Sequence, residues 1–89
     1  MSRLAEIKRF VLDEFAPDVV ADDLADDFDL LDNGIVDSLG LLRLIAWVGE
    51  RYDIAVDEVE LTPDDFRSVE AIAHFVDSHL PLLAQEGLR

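Results

Sequence analysis

The sequence predicts an all-α fold, and three observations carry that prediction. Apolar residues recur at intervals of three and four through three segments, the spacing that lines up one face of a helix. The three prolines, Pro17, Pro63 and Pro81, fall at the edges of those segments, where proline stops or starts a helix. The chain has 89 residues, 51% of them apolar with few Gly or Pro, so it has room for one core of three or four short helices and is not disordered.

The first helix is expected from Ser2 or Arg3 to Phe15. Leu4, Ile7, Val11 and Phe15, with Phe10 beside them, share one face, and Arg3, Glu6, Lys8, Arg9 and Asp13 take the other. Pro17 ends it by disfavouring helical geometry in the residue before. A long connection follows from Asp18 to Asp37, with eight aspartates and no basic residue. Leu24, Phe28, Leu30, Leu31 and Ile35 are expected to pin it to the core, and Gly34 to supply a turn.

The second helix is expected from Ser38 to Tyr52. Leu42, Ile45 and Tyr52, with Leu39 and Val48 near them, are read as its inward stripe. Leu41, Leu44 and Trp47 lie off that stripe. With Arg43 they are read as a surface for docking partners, because so small a protein cannot bury a helix on all sides. Thr62 reads as the cap and Pro63 as the first residue of a short helix, only about a turn long, anchored by Phe66. Ser68 then caps a last helix to Leu80, with Val69, Ile72, Ala73 and Val76 inward. The domain is thus read as residues 1–80 and the tail as 81–89.

Composition excludes several classes of function. A formal charge of −14 is the wrong sign for nucleic acid or for anionic membrane surfaces. It suits basic protein partners, and it also serves solubility. No segment approaches the roughly 18 apolar residues that span a bilayer, and the charged N-terminus lacks a signal-peptide core. A soluble, cytoplasmic monomer is expected. There is no cysteine, hence no disulfide and no thiolate metal site. His74 and His79 are five apart, off the spacing for a shared metal, and the aspartates do not follow the EF-hand order, so no metal site is assigned. Nothing suggests a base or an oxyanion hole for a catalytic serine. The chain is read as a non-enzyme.

One run carries more. Asp29-Leu30-Leu31-Asp32-Asn33-Gly34-Ile35-Val36-Asp37-Ser38-Leu39 leads an acidic loop into the second helix. Ser38 or Asp37 can simply cap that helix. A serine there can also carry a phosphate, which the helix dipole and free N–H groups favour.

This run, and the order long helix, long loop, helix, short helix, helix, resembles the acyl and peptidyl carrier proteins. The resemblance covers Leu4 to Leu80, and Tyr52-Asp53-Ile54-Ala55-Val56 falls where that family has an aromatic residue and a short packed Ile-x-Val segment. It implies a four-helix bundle of the acyl-carrier type, with three longer helices and one short, and a long first loop. It also implies a 4′-phosphopantetheine arm, taken from coenzyme A and joined to Ser38, with Asp37 and Leu39 flanking the attachment site. The partners it implies are a phosphopantetheinyl transferase, a cargo-loading enzyme and downstream biosynthetic enzymes. Fatty-acid carriers commonly show acids along the second helix, whereas here Glu50 is the only acid after Ser38. The pattern Gly-Ile-Val-Asp-Ser-Leu-Gly-Leu-Leu is more similar to discrete carriers of specialised pathways, which hold aminoacyl or small acyl groups as thioesters. Two alternatives stay open at this point: a general fatty-acid or polyketide carrier, and a helical interaction module in which Ser38 only caps.

Overall fold

Helical spacing becomes helix in three places: α1 (Arg3–Phe15), α2 (Ser38–Tyr52) and α3 (Val69–His79). The computed structural model describes residues 3–79, among which there is no strand. The expected tail, 81–89, and the domain boundary at 80 lie outside the described residues. Two single 3-10 turns, Ala21–Asp23 and Pro63–Phe66, complete the order. The second stands where a short fourth helix was expected. It is one turn long, with Phe66 fully buried beneath it and the Thr62 N–H donating to the Asp65 carboxylate at 2.9 Å.

The core gathers Ile7, Val11 and Leu12 of α1, Leu44 and Val48 of α2, and Val69, Ile72, Phe75 and Val76 of α3. The long connection adds Leu24, Leu30 and Val36, and it is also tied down by polar contacts. Lys8 pairs with Asp26 at 2.8 Å, and the Asp26 carbonyl accepts the Glu70 N–H at 2.8 Å. Ser68 caps α3 as its position predicts, its hydroxyl accepting the Ala71 N–H at 3.0 Å. At the far end of α2, Asp53 adopts left-handed geometry (φ 56°), and the Ile54 N–H returns to the Gly49 carbonyl at 3.0 Å. Ile54 is then buried and Val56 half-buried.

The phase of α2 corrects the sequence reading. Its inward line is Gly40, Leu44 and Val48, spaced by four, and Leu44 is 0% exposed. Leu39 and Leu42, read as inward, are 68% and 64% exposed. Trp47, read as outward, stacks on Phe10 with ring centroids 4.1 Å apart and meets Tyr52 edge-on at 5.8 Å, so it belongs to the joint between α1 and α2. Leu41 and Ile45 are half-buried.

The physical reason is Gly40. A Cβ there would stand 2.9 Å from the Phe15 ring and 3.1 Å from the Asp37 carboxylate, so the helix packs by its bare backbone at that point. A glycine adds nothing to an apolar stripe, and a stripe drawn through the leucines therefore runs along the wrong face.

Leu44→Ala should cost about 2–5 kcal/mol by leaving a cavity. Leu42→Ala should stay within about 0.5 kcal/mol of wild type. Urea denaturation of the two variants checks this, and equal losses would return Leu42 to the core.

Candidate functional site

The site is built where the loop becomes α2. Asp29 starts it: one carboxylate oxygen accepts the N–H groups of Leu31 (3.1 Å) and Asp32 (2.8 Å), and the Asn33 side-chain amide donates to the Asp29 carbonyl at 2.7 Å. Gly34 then turns the chain with φ 75°, which a side chain would strain. The Val36 N–H donates to the Leu30 carbonyl at 3.0 Å and closes the loop, with Val36 buried behind it.

The next residue caps the helix. Asp37 is extended (φ −91°, ψ −174°), and its carboxylate accepts the Gly40 N–H at 2.7 Å while its carbonyl accepts the Leu41 N–H at 2.7 Å. With that role filled by Asp37, Ser38 is the first residue inside the helix. It is exposed, and no hydrogen bond among the described residues occupies its hydroxyl. The reading in which Ser38 is only a helix cap is therefore corrected, since the structure gives the capping oxygen to its neighbour. Position also leaves the Ser38 and Leu39 N–H groups without an intrahelical acceptor.

Beside Ser38 lies a shallow groove of about 390 Å³, lined by Leu31, Gly34, Val36, Asp37, Leu41 and Pro63 as well as Ser38 itself. Its walls are apolar except at the end where Asp37 and Ser38 stand. The exposed Leu39 and Leu42 flank the serine on the helix surface. Arg43, one residue on, pairs with Glu14 at 2.5 Å and lies 5.7 Å from the centre of the Phe15 ring.

Of the residues singled out from the sequence, the structure thus gathers Asp37, Ser38, Leu39 and Leu41 at one end of α2. Arg43 is exposed at the margin. Leu44 and Trp47 turn away, the first into the core and the second against α1. One residue was missed. Arg67 donates to Asp29 (2.9 Å) and to Asp64 (2.9 Å), and stands 3.3 Å from Asp32. The signal available was its isolation: it is the sole Lys or Arg between Arg51 and Arg89.

A family model described as the phosphopantetheine attachment site matches residues 12–76. The chain belongs to that family. It is a carrier protein of the kind that bears a covalent 4′-phosphopantetheine prosthetic group. Among solved structures, the carrier is similar to KstB-PCP in its apo form, with 49% identity over 88% of this chain and 86% of that one and a TM-score of 0.75. It is also similar to the solution structure of KstB-PCP in kosinostatin biosynthesis, with 48% identity over 91% of each chain and a TM-score of 0.64. The all-α architecture of three helices agrees with that of these carriers. Among the described residues no helix is long and apolar enough to cross a membrane.

The residues present fit such an arm. A serine ester needs a free hydroxyl, a phosphodiester is favoured by unpaired N–H groups at a helix start, and a flexible chain needs open space beside it. All three meet at Ser38.

Two carboxylates of the carrier titrate low. Asp29 is held below its usual value chiefly by the Asp32 N–H and then by Arg67. Glu6 is held low first by the Tyr52 hydroxyl, which donates to it at 2.5 Å, and then by Arg51. Burial, with Glu6 adding to it, pushes the Tyr52 phenol well above its usual range. A lowered folded-state pKa means that the unfolded chain takes up the proton first as pH falls. The stability from Glu6 is then complete above its unfolded value of 4.5 and is lost as pH falls through the lower folded value. The deficit of Glu6→Gln against wild type, measured in urea, should be constant at neutral pH and close below that point. A deficit that grows in acid would contradict the assignment.

Proposed function

We propose that the carrier holds an aminoacyl or small acyl group as a thioester on a 4′-phosphopantetheine arm joined to Ser38, and presents it to the enzymes of a dedicated biosynthetic pathway. The observation that carries this reading is the division of labour at the helix start. Asp37 caps, which leaves the Ser38 hydroxyl exposed and unbonded beside an open groove. The similarity to KstB-PCP supports the pathway class, because that protein belongs to kosinostatin biosynthesis. In this reading the turn at Pro63–Phe66 is the chain's shortened form of the fourth helix of the carrier bundle.

The arm supplies a terminal thiol, which a chain without cysteine does not have. Everything else falls to the chain's own residues. Ser38 is the substrate of a phosphopantetheinyl transferase: its Oγ would displace adenosine 3′,5′-bisphosphate from the pyrophosphate of coenzyme A, and its proton would pass to the transferase. Asp37 fixes the helix start, and Leu31, Leu41 and Pro63 border the space beside the attached arm. The chain holds and presents cargo without catalysing its transfer, and we place it in the cytoplasm, where coenzyme A and the loading enzymes are found.

Partner enzymes dock, in this reading, on Leu39 and Leu42, with Leu41 and Arg43 at the margin. Large apolar side chains more than half exposed beside the reactive serine fit a partner's apolar pocket. Each Lys and Arg among the described residues has a carboxylate within 4.0 Å, so the charge left over on the surface is acidic. A partner with a basic rim around an apolar centre complements that surface.

Incubation with coenzyme A, magnesium and a broad-specificity transferase should add the mass of one phosphopantetheine, and Ser38→Ala should abolish the gain. Ser68, whose hydroxyl is engaged in capping α3, and Ser78 serve as controls. Modification of the Ser38→Ala variant would refute the assignment. Leu39→Ala and Leu42→Ala should slow loading by the cognate enzyme several-fold while leaving the thermal midpoint close to that of wild type. Unchanged loading in both would move the docking surface elsewhere.

A further inference from the structure

We propose that Arg67, on the connection between the second 3-10 turn and α3, is the positioning residue of the attachment serine. It acts by fastening the Asp29–Val36 loop against the Pro63–Phe66 turn. This rests on the reading of Ser38 as the modified residue.

A chain of bonds connects Arg67 to the start of α2 without contact between Arg67 and Ser38. The Arg67 carbonyl accepts the Leu30 N–H at 2.7 Å, and its guanidinium donates to the outer oxygen of Asp29 at 2.9 Å. The inner oxygen of Asp29 holds the Leu31 and Asp32 N–H groups, so one carboxylate is shared between Arg67 and the turn. Leu30 in turn accepts the Val36 N–H at 3.0 Å, and the next residue after Val36 is the cap Asp37. On its other side the guanidinium grips Asp64, 2.9 Å from Nε and 2.8 Å from the second terminal nitrogen.

Asp64 neighbours Pro63, which lines the groove beside Ser38 together with Leu31, Gly34 and Val36. Arg67 therefore ties the loop that carries Leu31, Gly34 and Val36 to the turn that carries Pro63, and residues of both line that groove. A planar guanidinium can serve Asp29, Asp64 and, at 3.3 Å, Asp32 at once, whereas an ammonium offers a single point of charge. The acidic loop carries no cation of its own, so this grip has to come from a distant residue.

The test compares wild type with Arg67→Gln, Arg67→Lys and Asp29→Asn, and with Arg3→Gln as a control. Arg3 pairs with Asp77 at similar exposure, on elements away from the groove. Initial rates of transfer from coenzyme A are measured at saturating carrier, and amide hydrogen exchange is followed at Val36 and at Ile72 in α3. Arg67→Gln and Asp29→Asn should load about tenfold more slowly, as loss of a charge-assisted hydrogen bond permits. Val36 should exchange faster while Ile72 keeps its protection. Arg67→Lys should recover part of the rate, and Arg3→Gln should load like wild type.

Should Arg67→Gln lose its fold, Ile72 protection falls with that of Val36 and the decision passes to Asp29→Asn, which keeps the acceptor for the turn. The proposal is overturned if Asp29→Asn loads at the wild-type rate, or if its slowing comes with an equal loss of protection at Ile72. If wild type itself takes no arm, the reading of Ser38 fails instead, and the exchange measurements still judge whether Arg67 orders the loop.

Discussion

Phe15 packs closely against the bare backbone at Gly40, and the position of α2 follows from that contact. It brings the start of α2 against the end of α1, and the same glycine donates its N–H to the capping carboxylate of Asp37. Packing and capping are thus satisfied by one residue. Together they fix where α2 begins, which of its faces is buried and which residue is first inside the helix. Any side chain at position 40 would have to displace either the aromatic ring or the cap.

Charge shapes the outside of the molecule in a comparable way. A formal −14 is spread over a domain whose described cations each sit beside a carboxylate. Exposed pairs of this kind contribute little to stability one by one. Their placement is more telling, because each joins elements far apart in sequence or holds a helix turn. Arg51 reaches Glu6, Arg43 reaches Glu14 and Lys8 reaches Asp26. Among the described residues the few cations are each paired within the molecule, and the surface field there is left to the acids.

Much of this was legible in the sequence. Helical periodicity, the prolines and the cap residues located all three helices, with α2 bounded at Ser38 and Tyr52 as expected. The Asp-Ser-Leu run was legible as a site because its residues are adjacent in the chain. What was not legible depended on contacts across the chain. The phase of α2 follows from an approach at Gly40, which carries no hydropathic signal, so periodicity alone puts Leu39 and Leu42 inside and Leu44 outside. The grip of Arg67 on Asp29 spans 38 residues and has no local pattern. The element after Thr62 was legible in its start signals and in its length of about one turn, and the structure makes that turn 3-10 before Ser68 caps α3.

The phase of α2 has a consequence for how this protein can change over generations. The helix uses positions 40, 44 and 48 for the interior and leaves 39 and 42 in water. Two selective pressures therefore act on one helix through separate letters of the sequence. Substitution at the inner positions is disciplined by the fold. Substitution at the outer ones meets no core contact, so that face can drift, specialise or be redesigned in the laboratory while the scaffold beneath it stays the same.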